Sequence, residues 1–513
     1  MTTAPHDPSA ETAPNTPYRR RWAALWVLVG AVLLLAIDGT VLYLAVPSLS
    51  RDLAPTATEM LWIGDVYSLA LAGLLVTMGT VADRVGRKKL LLIGTTAFGL
   101  ASVLAAFSTS ATMLIAARVL LGVAGATIMP STLAVIRNMF TDPAERTRAI
   151  AIWSAAAGCG AALGPLVGGL LLENFWWGSV FLINVPVMVV LLIAGIVLLP
   201  ESRNPHPGRF DLPSAGLSLL TIVPLVYAIK HAIGYGFDGV TAGCLVLGGA
   251  AGLAFVRRQR RSSAPMIDVE LFRNRAFSGA VVANFIAIFA LTGMLFFFSQ
   301  YLQLARGFSP LTAGLAELPA TAASIVVIVV VARITAYLGR GRAVAAGLAL
   351  TALGLLLVAV AEGSDNYLWL ALTLLPVGFG VGLAMTLTTD AVVSAVPPRK
   401  AGSAAAISET AFELGVALGI AVLGSVVTLG YRADLHLPAD LPDNIRITVQ
   451  DSLASALTVV DVGSVAGLAA REAFVGAMQV AAVAAAIITA VAAVVAWRTI
   501  PSSKGMSDAP VAH

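Results

Sequence analysis

The stretch GTVADRVGRKK, residues 79–89, lies between two apolar runs near 59–82 and 90–108. Each run is long enough to cross the hydrocarbon core of a bilayer, which takes about 20 apolar residues of helix. Gly86 permits a tight turn between them, and Asp83 can cap the next helix or face another helix end. The basic residues of the stretch are Arg84, Arg87, Lys88 and Lys89. Taken alone, the stretch indicates a short loop anchored at a membrane surface.

The composition of the whole chain supports this interpretation. Apolar residues make up 58% of the 513 residues and charged residues 12%, against about 45–50% and about 25% in ordinary globular proteins. The mean hydropathy is +0.88. Such a chain has too little polar surface to be a soluble protein. Cys159 and Cys244 both lie in apolar segments, so we expect no disulfide framework and no metal site.

Fourteen apolar runs have the length of a membrane-spanning helix and are too long and closely spaced to be strands. They lie near 22–48, 59–82, 90–108, 111–134, 149–172, 179–199, 212–233, 239–256, 277–303, 310–332, 343–361, 367–396, 402–430 and 473–497. We number them as spans one to fourteen. The first eighteen residues are polar and proline-rich and do not resemble a secretory signal peptide. Span one is therefore expected to serve as the insertion signal.

The placement of Lys and Arg predicts the orientation. With a cytoplasmic N-terminus, 25 of the 32 Lys and Arg residues fall on the inside. Arg118 lies within a span, and the remaining six fall outside: Arg51, Lys230, Arg306, Arg432, Arg446 and Arg471. We expect a bacterial inner-membrane protein with both termini in the cytoplasm.

The chain also repeats itself with an offset of about 255 residues. The corresponding positions are Gly86-Arg87 with Gly339-Arg340, Gly122 with Gly378, and Gly160 and Gly164 with Gly415 and Gly419. Spans one to six and nine to fourteen therefore read as two copies of one six-helix unit, with spans seven and eight as an inserted hairpin. Parallel repeats of this kind place a substrate site at their interface near the middle of the membrane.

The predicted organisation has five parts. They are a cytoplasmic tail at 1–21, a six-helix half at 22–200, a linker with the two inserted helices at 201–276, a second half at 277–497, and a cytoplasmic tail at 498–513. The one long outside connection is 431–472, whose middle is mildly apolar. It is either a small hairpin or helix over the outer mouth or an unstructured loop.

Motifs of soluble enzymes are missing from the sequence. It contains no GxxxxGK[ST] phosphate loop, no HExxH, no GxSxG and no CxxC,. GCGAALG at 158–164 has the wrong spacing for a dinucleotide loop and lies inside a span. We expect no cofactor and no catalytic residue. Any transport by this protein has to be driven by an ion gradient.

At this point a family resemblance appears. GxxxDRxGRKK, with Gly79, Asp83, Arg84, Gly86 and Arg87, resembles the cytoplasmic gating motif of the major facilitator superfamily. Arg118-Val-Leu-Leu-Gly122 resembles its fourth-helix motif. Other stretches resemble the superfamily's antiporters, and together they cover nearly the whole chain. These stretches are Asp38-Gly-Thr-Val, LWIGDVYSLALAG at 61–73, Gly160-xxx-Gly164-Pro165-xx-Gly168-Gly169, FLINVP at 181–186 and ISETAFELGVALG at 407–419.

In detail, the chain is similar to the fourteen-helix drug:proton antiporters that export quaternary ammonium compounds. The resemblance implies an all-α polytopic fold, with two six-helix halves and two extra central helices. It also implies proton-coupled efflux of lipophilic cations, with protons and the lipid bilayer as further partners. We expect no nucleic-acid partner and a monomer.

Span five carries glycines at every fourth position, Gly160, Gly164 and Gly168, which lie on one helix face. A face of small residues allows close approach of another helix in lipid, and Pro165 removes a backbone donor and bends the helix. Either a static packing seam or a helix that re-packs between two states fits this pattern. The resemblance implies that this helix, with Gly169, controls leak and the direction of exchange.

Five ionisable residues within spans are hard to explain as structure. They are Asp38, Glu317, Glu409, Glu413 and Arg118. A charge near the bilayer centre costs at least about 2.5–3.5 kcal/mol on insertion scales, and a carboxyl group in such surroundings can take up and release a proton near neutral pH. Glu409 and Glu413 are four residues apart and face the same way. Such a pair can bind either a proton or a cation.

Aromatic residues supply the second element of a cation site, because ring faces attract cations. The candidates are Trp62, Tyr67, Tyr301 and Phe412. Asp65, close to Trp62, either contacts substrate or is a solvated residue of the mouth. Arg118 either forms a structural ion pair with Asp38 or another carboxylate, or takes part in proton coupling, as the resemblance implies.

Two rival functions stay open on the sequence. The same fold could export a lipid, an amino acid or a self-made antibiotic. A membrane-embedded transferase would need a cluster of His and acidic residues at a membrane edge, and no such cluster is found. The histidines lie in tails or loops: His6, His206, His231, His436 and His513.

Overall fold

The computed structural model describes residues 18–202, 211–262, 265–364, 366–397, 400–439 and 441–502. Most of the two predicted tails, 1–17 and 503–513, lies outside the described residues, and so does the stretch 203–210 of the predicted linker. The described part of the chain is helical and contains no strand. Fourteen of its helices are long and apolar enough to cross a membrane. The predicted all-helical architecture with fourteen spans is confirmed.

The spans extend beyond the apolar runs at most of their ends, because capped polar turns continue the helices. The fourteen spans are Tyr18–Leu53, Ala57–Val85, Arg87–Ala106, Ala111–Met139, Pro143–Asn174, Ser179–Leu198, Leu212–Ala232, Gly239–Arg261, Arg275–Ala305, Pro310–Leu338, Arg340–Ala361, Tyr367–Ser394, Ser403–Asp434 and Val465–Thr499. A short 3₁₀ helix, Val269–Arg273, precedes span nine. Span two starts with a capping box between Thr56 and Glu59, which satisfies two free backbone donors.

Three spans deviate from a continuous α-helix. Span six is divided at Ile183. Span nine ends in a π-helical turn, Tyr301–Ala305. Span ten is interrupted at Glu317, between Pro310–Ala316 and Leu318–Leu338. Pro319 accounts for this last interruption, because a proline within a helix removes a backbone donor and clashes with the preceding turn.

Glycines at corresponding positions make the same close backbone contacts in the two halves. A Cβ atom on Gly160 of span five would lie 2.5 Å from the carbonyl oxygen of Leu33 in span one. A Cβ atom on Gly415 of span thirteen would lie 2.8 Å from the carbonyl oxygen of Phe285 in span nine. Gly122 of span four packs in the same way against the backbone of span two, and Gly378 of span twelve packs against the backbone of span ten. Only glycine permits these contacts.

The turns that follow spans two and ten are also alike. Gly86 and Gly339 end these spans at φ values of 112° and 75°, a region that L-residues with a side chain adopt rarely. Both turns are covered by the chain that leaves the last span of the same half. Arg87 donates its backbone N–H to the carbonyl of Ser202, and Gly339 lies against the backbone of Ser502.

The two halves meet along two seams. Span two packs against span thirteen, and span five packs against the start of span ten. The contacts lie towards the end of the bundle that the Lys and Arg distribution predicts to be extracytoplasmic, which we call the outer end. There the Tyr43 ring stands edge-on to Phe296 at 5.6 Å, and Gln303 donates to the carbonyl of Leu44 at 3.0 Å. The outer end is closed.

At the opposite end, ion pairs among the described residues join elements of the same half. Arg21 pairs with Glu145, linking spans one and five, at 3.1 Å. Arg340 pairs with Asp390, linking spans eleven and twelve, at 2.9 Å. Each of these two pairs therefore stabilises one half.

The inserted spans seven and eight form a hairpin outside the two-half bundle. They pack against each other, and span seven also contacts spans two and thirteen. Val226 of span seven joins Leu69, Ala417 and Ala421 in one buried apolar cluster. The hairpin thus covers the seam between spans two and thirteen, which joins the two halves.

The outer connection is shorter than the predicted 431–472, because spans thirteen and fourteen extend to Asp434 and from Val465. Of the two alternatives for this region, the structure has the helical one. Its helices are Asp443–Asp451 and Leu453–Val459. Asp451 accepts a hydrogen bond from the backbone N–H of Ala57 at 2.9 Å, which holds the connection against the start of span two.

Candidate functional site

The predicted acidic pair of span thirteen lies at the seam between the halves. Glu413 is buried, and Ser68 of span two is close enough to hydrogen-bond its carboxylate. Glu409 lies one turn closer to the inner end and is partly exposed. The two carboxylates interact electrostatically, as their spacing predicts. Phe412 is partly buried in the same turn and packs on the main apolar core.

Glu317 lies at the interruption of span ten, near the outer end of the second seam. Its side chain is 4% exposed, and neither carboxylate oxygen has a hydrogen-bond partner among the described residues. Tyr43 of span one lies within electrostatic range of both Glu317 and Glu413. A buried carboxyl group with no donor is costly unless it holds a proton or acquires a ligand.

Asp38 is surrounded by groups of its own half. Its side chain is fully buried and accepts a hydrogen bond of 2.6 Å from the amide Nδ2 of Asn184 in span six. The same amide nitrogen donates to the Ser102 hydroxyl of span three at 3.2 Å. The structure therefore places Asp38 in a polar network inside the first half, away from the seams.

Arg118 is equally buried and lies beside Tyr67. Its guanidinium carbon is 5.3 Å from the centroid of the Tyr67 ring, and Nη2 donates to the carbonyl of Gly64 at 3.4 Å. Among the described residues no carboxylate lies within ion-pair distance of Arg118, so the direct ion pair with Asp38, one of the two alternatives for this residue, is not formed. The two groups interact electrostatically over a longer distance. Tyr67 itself is 3% exposed.

Asp65 is not the solvated mouth residue of one prediction, because its side chain is completely buried. Its Oδ1 lies 2.6 Å from the ammonium nitrogen of Lys230, whose side chain is 1% exposed. The same ammonium nitrogen lies 3.7 Å from the centroid of the Trp62 ring. Lys230, which the charge count placed on the extracytoplasmic side, lies within span seven and faces span two.

Tyr301 is held at the outer end of span nine. Its hydroxyl donates to the backbone carbonyl of Glu362 at 2.6 Å and accepts from Nε of Arg306 at 2.7 Å. In the described residues this hydroxyl contacts none of the predicted acidic side chains. The structure therefore does not bring Tyr301 together with Glu413 or Glu317.

Glu362 was missed by the sequence reasoning. It caps span eleven at the outer end and is 3% exposed, although the sequence places it in a polar turn. Both of its carboxylate oxygens lack a hydrogen-bond partner in the part of the chain that the structure describes. Burial raises the pKa of this carboxyl group to about 8, and the nearby Arg306 opposes the rise. Burial therefore favours the protonated form of Glu362.

Comparison with known proteins decides the family. The profile of the Major Facilitator Superfamily matches residues 28–420, more than half of the chain. The chain belongs to the major facilitator superfamily. It is thus a transporter rather than an enzyme, and its fourteen apolar helices make it a multi-pass membrane protein.

Relatives within the superfamily are efflux proteins. The chain is 44% identical to the multidrug efflux pump LfrA of Mycolicibacterium smegmatis, over 93% of this chain and 96% of LfrA. It is 37% identical to the methyl viologen resistance protein SmvA of Salmonella typhimurium, over 94% of this chain and 99% of SmvA. The family resemblance predicted from the motifs is confirmed, and small molecules are the substrates of such a transporter.

A solved structure of the superfamily supports the fold. A bacterial homologue of the human lysosomal transporter Spinster, in an inward-facing and unoccupied conformation, superposes with a TM-score of 0.64. The match covers 94% of this chain and 98% of the homologue at 15% sequence identity. At this identity the likeness concerns the fold alone.

The motif residues of the superfamily occupy two structural positions. In the loop after span two, Asp83 accepts from the Arg87 guanidinium at 2.9 Å, which ties the end of span two to the start of span three. Gly79 faces Pro130 of span four. Arg84 lies in the last turn of span two.

On span five, Gly160, Gly164 and Gly168 all face span one, as their spacing predicts, and contact its backbone or side chains. Gly169 instead faces the start of span ten, where its Cβ would lie 2.9 Å from the Cα of Leu311. Pro165 lies at the same seam, since Gly314 packs against its carbonyl oxygen. Span five therefore packs within its own half on one face and against the other half on the next.

Proposed function

We propose that this protein is a proton-coupled multidrug antiporter that exports lipophilic cations by alternating access. The observation that carries the proposal is the set of buried carboxyl groups at the seams between the halves, Glu413 and Glu317. Neither group has a basic ion-pair partner in the described residues. A buried carboxyl group in this position is unstable as a bare carboxylate, and binding a proton or a cation stabilises it.

In the proposed cycle the halves are first joined at the outer end, which the contact between Tyr43 and Phe296 supports. A cation enters from the cytoplasm or the inner leaflet and replaces protons on the Glu409–Glu413 pair. The halves then rock about the seams and expose the site outside, where protons displace the cation. Return of the protonated form completes the cycle.

The chemistry of a relative supports cationic cargo. SmvA is named for resistance to methyl viologen, which is a bis-pyridinium dication. Glu409 and Glu413 offer two negative charges to such a molecule, and Phe412 and Tyr67 offer aromatic surface. Exchange of one monovalent cation for two or more protons moves net charge, so the membrane potential adds about 2.3 kcal/mol per charge per 100 mV.

We further propose that the protein resides in a bacterial inner membrane as a monomer, with both termini in the cytoplasm. The excess of Lys and Arg on one side supports this orientation,. No cofactor has a place in the proposed cycle.

The test is ethidium efflux in inverted membrane vesicles that carry a proton gradient. We expect accumulation of the dye that stops when an ionophore collapses the gradient. Accumulation that continues after the collapse would overturn proton coupling. The rival cargoes are separated by the resistance profile of a deletion strain. A strain that keeps its resistance to ethidium and quaternary ammonium compounds points to a lipid, an amino acid or an antibiotic.

A further inference from the structure

The contact between span two and the inserted hairpin contains both elements of an organic-cation site. The Asp65 carboxylate supplies the charge, at 2.6 Å from the ammonium nitrogen of Lys230. The Trp62 ring supplies an aromatic face, at 3.7 Å from the same nitrogen. Carboxylate and ring face converge on one point, which is how proteins recognise alkylammonium groups. Here the chain's own lysine occupies that point.

The contact among Asp65, Lys230 and Trp62 is buried and closely packed. Among the described residues, Asp65 and Lys230 form the one salt bridge in which both side chains are almost completely buried. Tyr227 of span seven packs against Trp62, with ring centroids 6.3 Å apart. Asp65 also keeps a spare acceptor, because its buried Oδ2 has no hydrogen-bond partner in the described structure. The site thus has acceptor capacity beyond what the lysine uses.

Its position connects it with the carboxylates of the central seam. Trp62, Asp65 and Ser68 follow one another at intervals of three residues and share a face of span two. Ser68 lies beside Glu413, about 4.5 Å along the helix axis from Asp65. The site is therefore adjacent to the proposed transport site, between it and the inserted hairpin.

We propose that Trp62 and Asp65 form a second cation-binding subsite for an alkylammonium group, which Lys230 occupies as an internal competitor. The inserted hairpin thereby sets cation selectivity, because it carries the lysine that keeps this subsite closed. An external alkylammonium ion binds there when the lysine side chain is removed. This inference rests on the proposed export of lipophilic cations.

The test counts propylammonium ions bound to the full-length purified protein by equilibrium dialysis, because propylammonium has the four heavy atoms that Lys230→Ala removes. We expect Lys230→Ala to bind one more ion per chain than the wild type, and at least tenfold more tightly than any binding at this subsite in the wild type. Lys230→Arg keeps a cation in place and should match the wild type. Lys230→Ala combined with Asp65→Asn should also match it. Equal stoichiometry and affinity in the wild type and Lys230→Ala would overturn the inference.

A second measurement covers the case in which Lys230→Ala is not stable enough for dialysis, since it leaves a buried carboxylate without its partner. Lys230→Ala is prepared in detergent with propylammonium or with the neutral analogue propanol. We expect propylammonium alone to raise the thermal unfolding temperature, and only while Asp65 is present. A rise that is equal with propanol, or no rise with either, would overturn the inference.

The outcomes also separate this inference from the proposed function. Wild-type export of tetraphenylphosphonium without an additional site in the Lys230 variants would leave the transport proposal intact and remove the subsite. An additional site in the variants together with no export by the wild type would leave the subsite intact and remove the transport proposal.

Discussion

The two halves share a packing plan but treat their buried acidic groups differently. In the first half, Asp38 is held by Asn184, and Asp65 is paired with Lys230 of the inserted hairpin, although the Oδ2 atom of each has no hydrogen-bond partner among the described residues. In the second half, neither carboxylate oxygen of Glu317 or Glu362 has such a partner. The carboxylates of the first half are therefore each anchored through one oxygen. The second half leaves carboxyl groups available for a proton or a ligand.

This difference assigns separate tasks to the two halves. Satisfied buried polar groups rigidify a structure, whereas unsatisfied ones are unstable unless they bind something. We infer that the first half supplies a rigid frame and that the second half exchanges protons and cations. Four predictions, in order of decreasing effect, test this contrast.

The contrast predicts opposite effects on stability for two neutralising substitutions. Asp38→Asn removes a charged hydrogen-bond acceptor and leaves the buried Arg118 with less compensating charge. We expect a loss of about 2–3 kcal/mol in the free energy of unfolding. Glu317→Gln replaces an acid that has no donor and should leave stability unchanged or higher. Thermal unfolding in detergent measures both, and a larger loss in Glu317→Gln than in Asp38→Asn would contradict the contrast.

The shared packing plan is tested on span five. Gly160→Ala places a Cβ 2.5 Å from the Leu33 carbonyl, whereas Gly158→Ala meets nothing within 4 Å. We expect Gly160→Ala to lower the free energy of unfolding by about 2 kcal/mol and Gly158→Ala to change it little. Gly419→Ala, in the corresponding contact between spans thirteen and nine, should match Gly160→Ala. Equal stability of Gly160→Ala and Gly158→Ala would show that spans five and one are not tightly packed against each other.

Transport is tested at the seam carboxylate. Glu413→Gln should reduce proton-driven efflux of ethidium by at least about tenfold, which corresponds to about 1.4 kcal/mol, because the group can no longer exchange a proton. Glu409→Gln and Asp38→Asn should also impair export. Glu270→Gln, at an exposed position, serves as the control. Export by Glu413→Gln at the level of this control would remove the central carboxylate from the mechanism.

The smallest effect concerns the pH dependence of stability at the outer end. Burial raises the pKa of Glu362 from 4.5 to about 8, so the folded state binds a proton that the unfolded state has released. The stability contributed by the protonated form is complete below about pH 4.5 and is lost as pH rises to about 8,. We expect Glu362→Gln to flatten the fall in unfolding temperature over this range. An unchanged slope would mean that Glu362 ionises normally.

The fold was largely predictable from the sequence, because apolar runs and glycine spacing are local signals. The fourteen spans follow from run length, and the echoes of Gly160 and Gly164 at Gly415 and Gly419 correspond to equivalent contacts. The length of the outer connection was overestimated, since the capped turn before Val465 extends span fourteen.

The site was predictable only in part, because partners are set by tertiary packing. Sequence reasoning found Asp65 and Trp62 but only counted Lys230 on the extracytoplasmic side, although Lys230 lies within the predicted span seven, 212–233. It left open whether Arg118 pairs with a carboxylate or takes part in proton coupling, and it did not single out Tyr43 or Glu362. The signal for Lys230 was a single Lys within an apolar run that contains no other Lys or Arg.

The most direct test of the central claim is a titration of the purified protein with tetraphenylphosphonium in weakly buffered detergent, with proton release measured alongside. Wild-type protein should release protons as the cation binds, with an affinity that falls at low pH, and Glu413→Gln should bind with less release. Binding that releases no protons and has the same affinity at every pH would contradict exchange of protons for cations at these carboxyl groups.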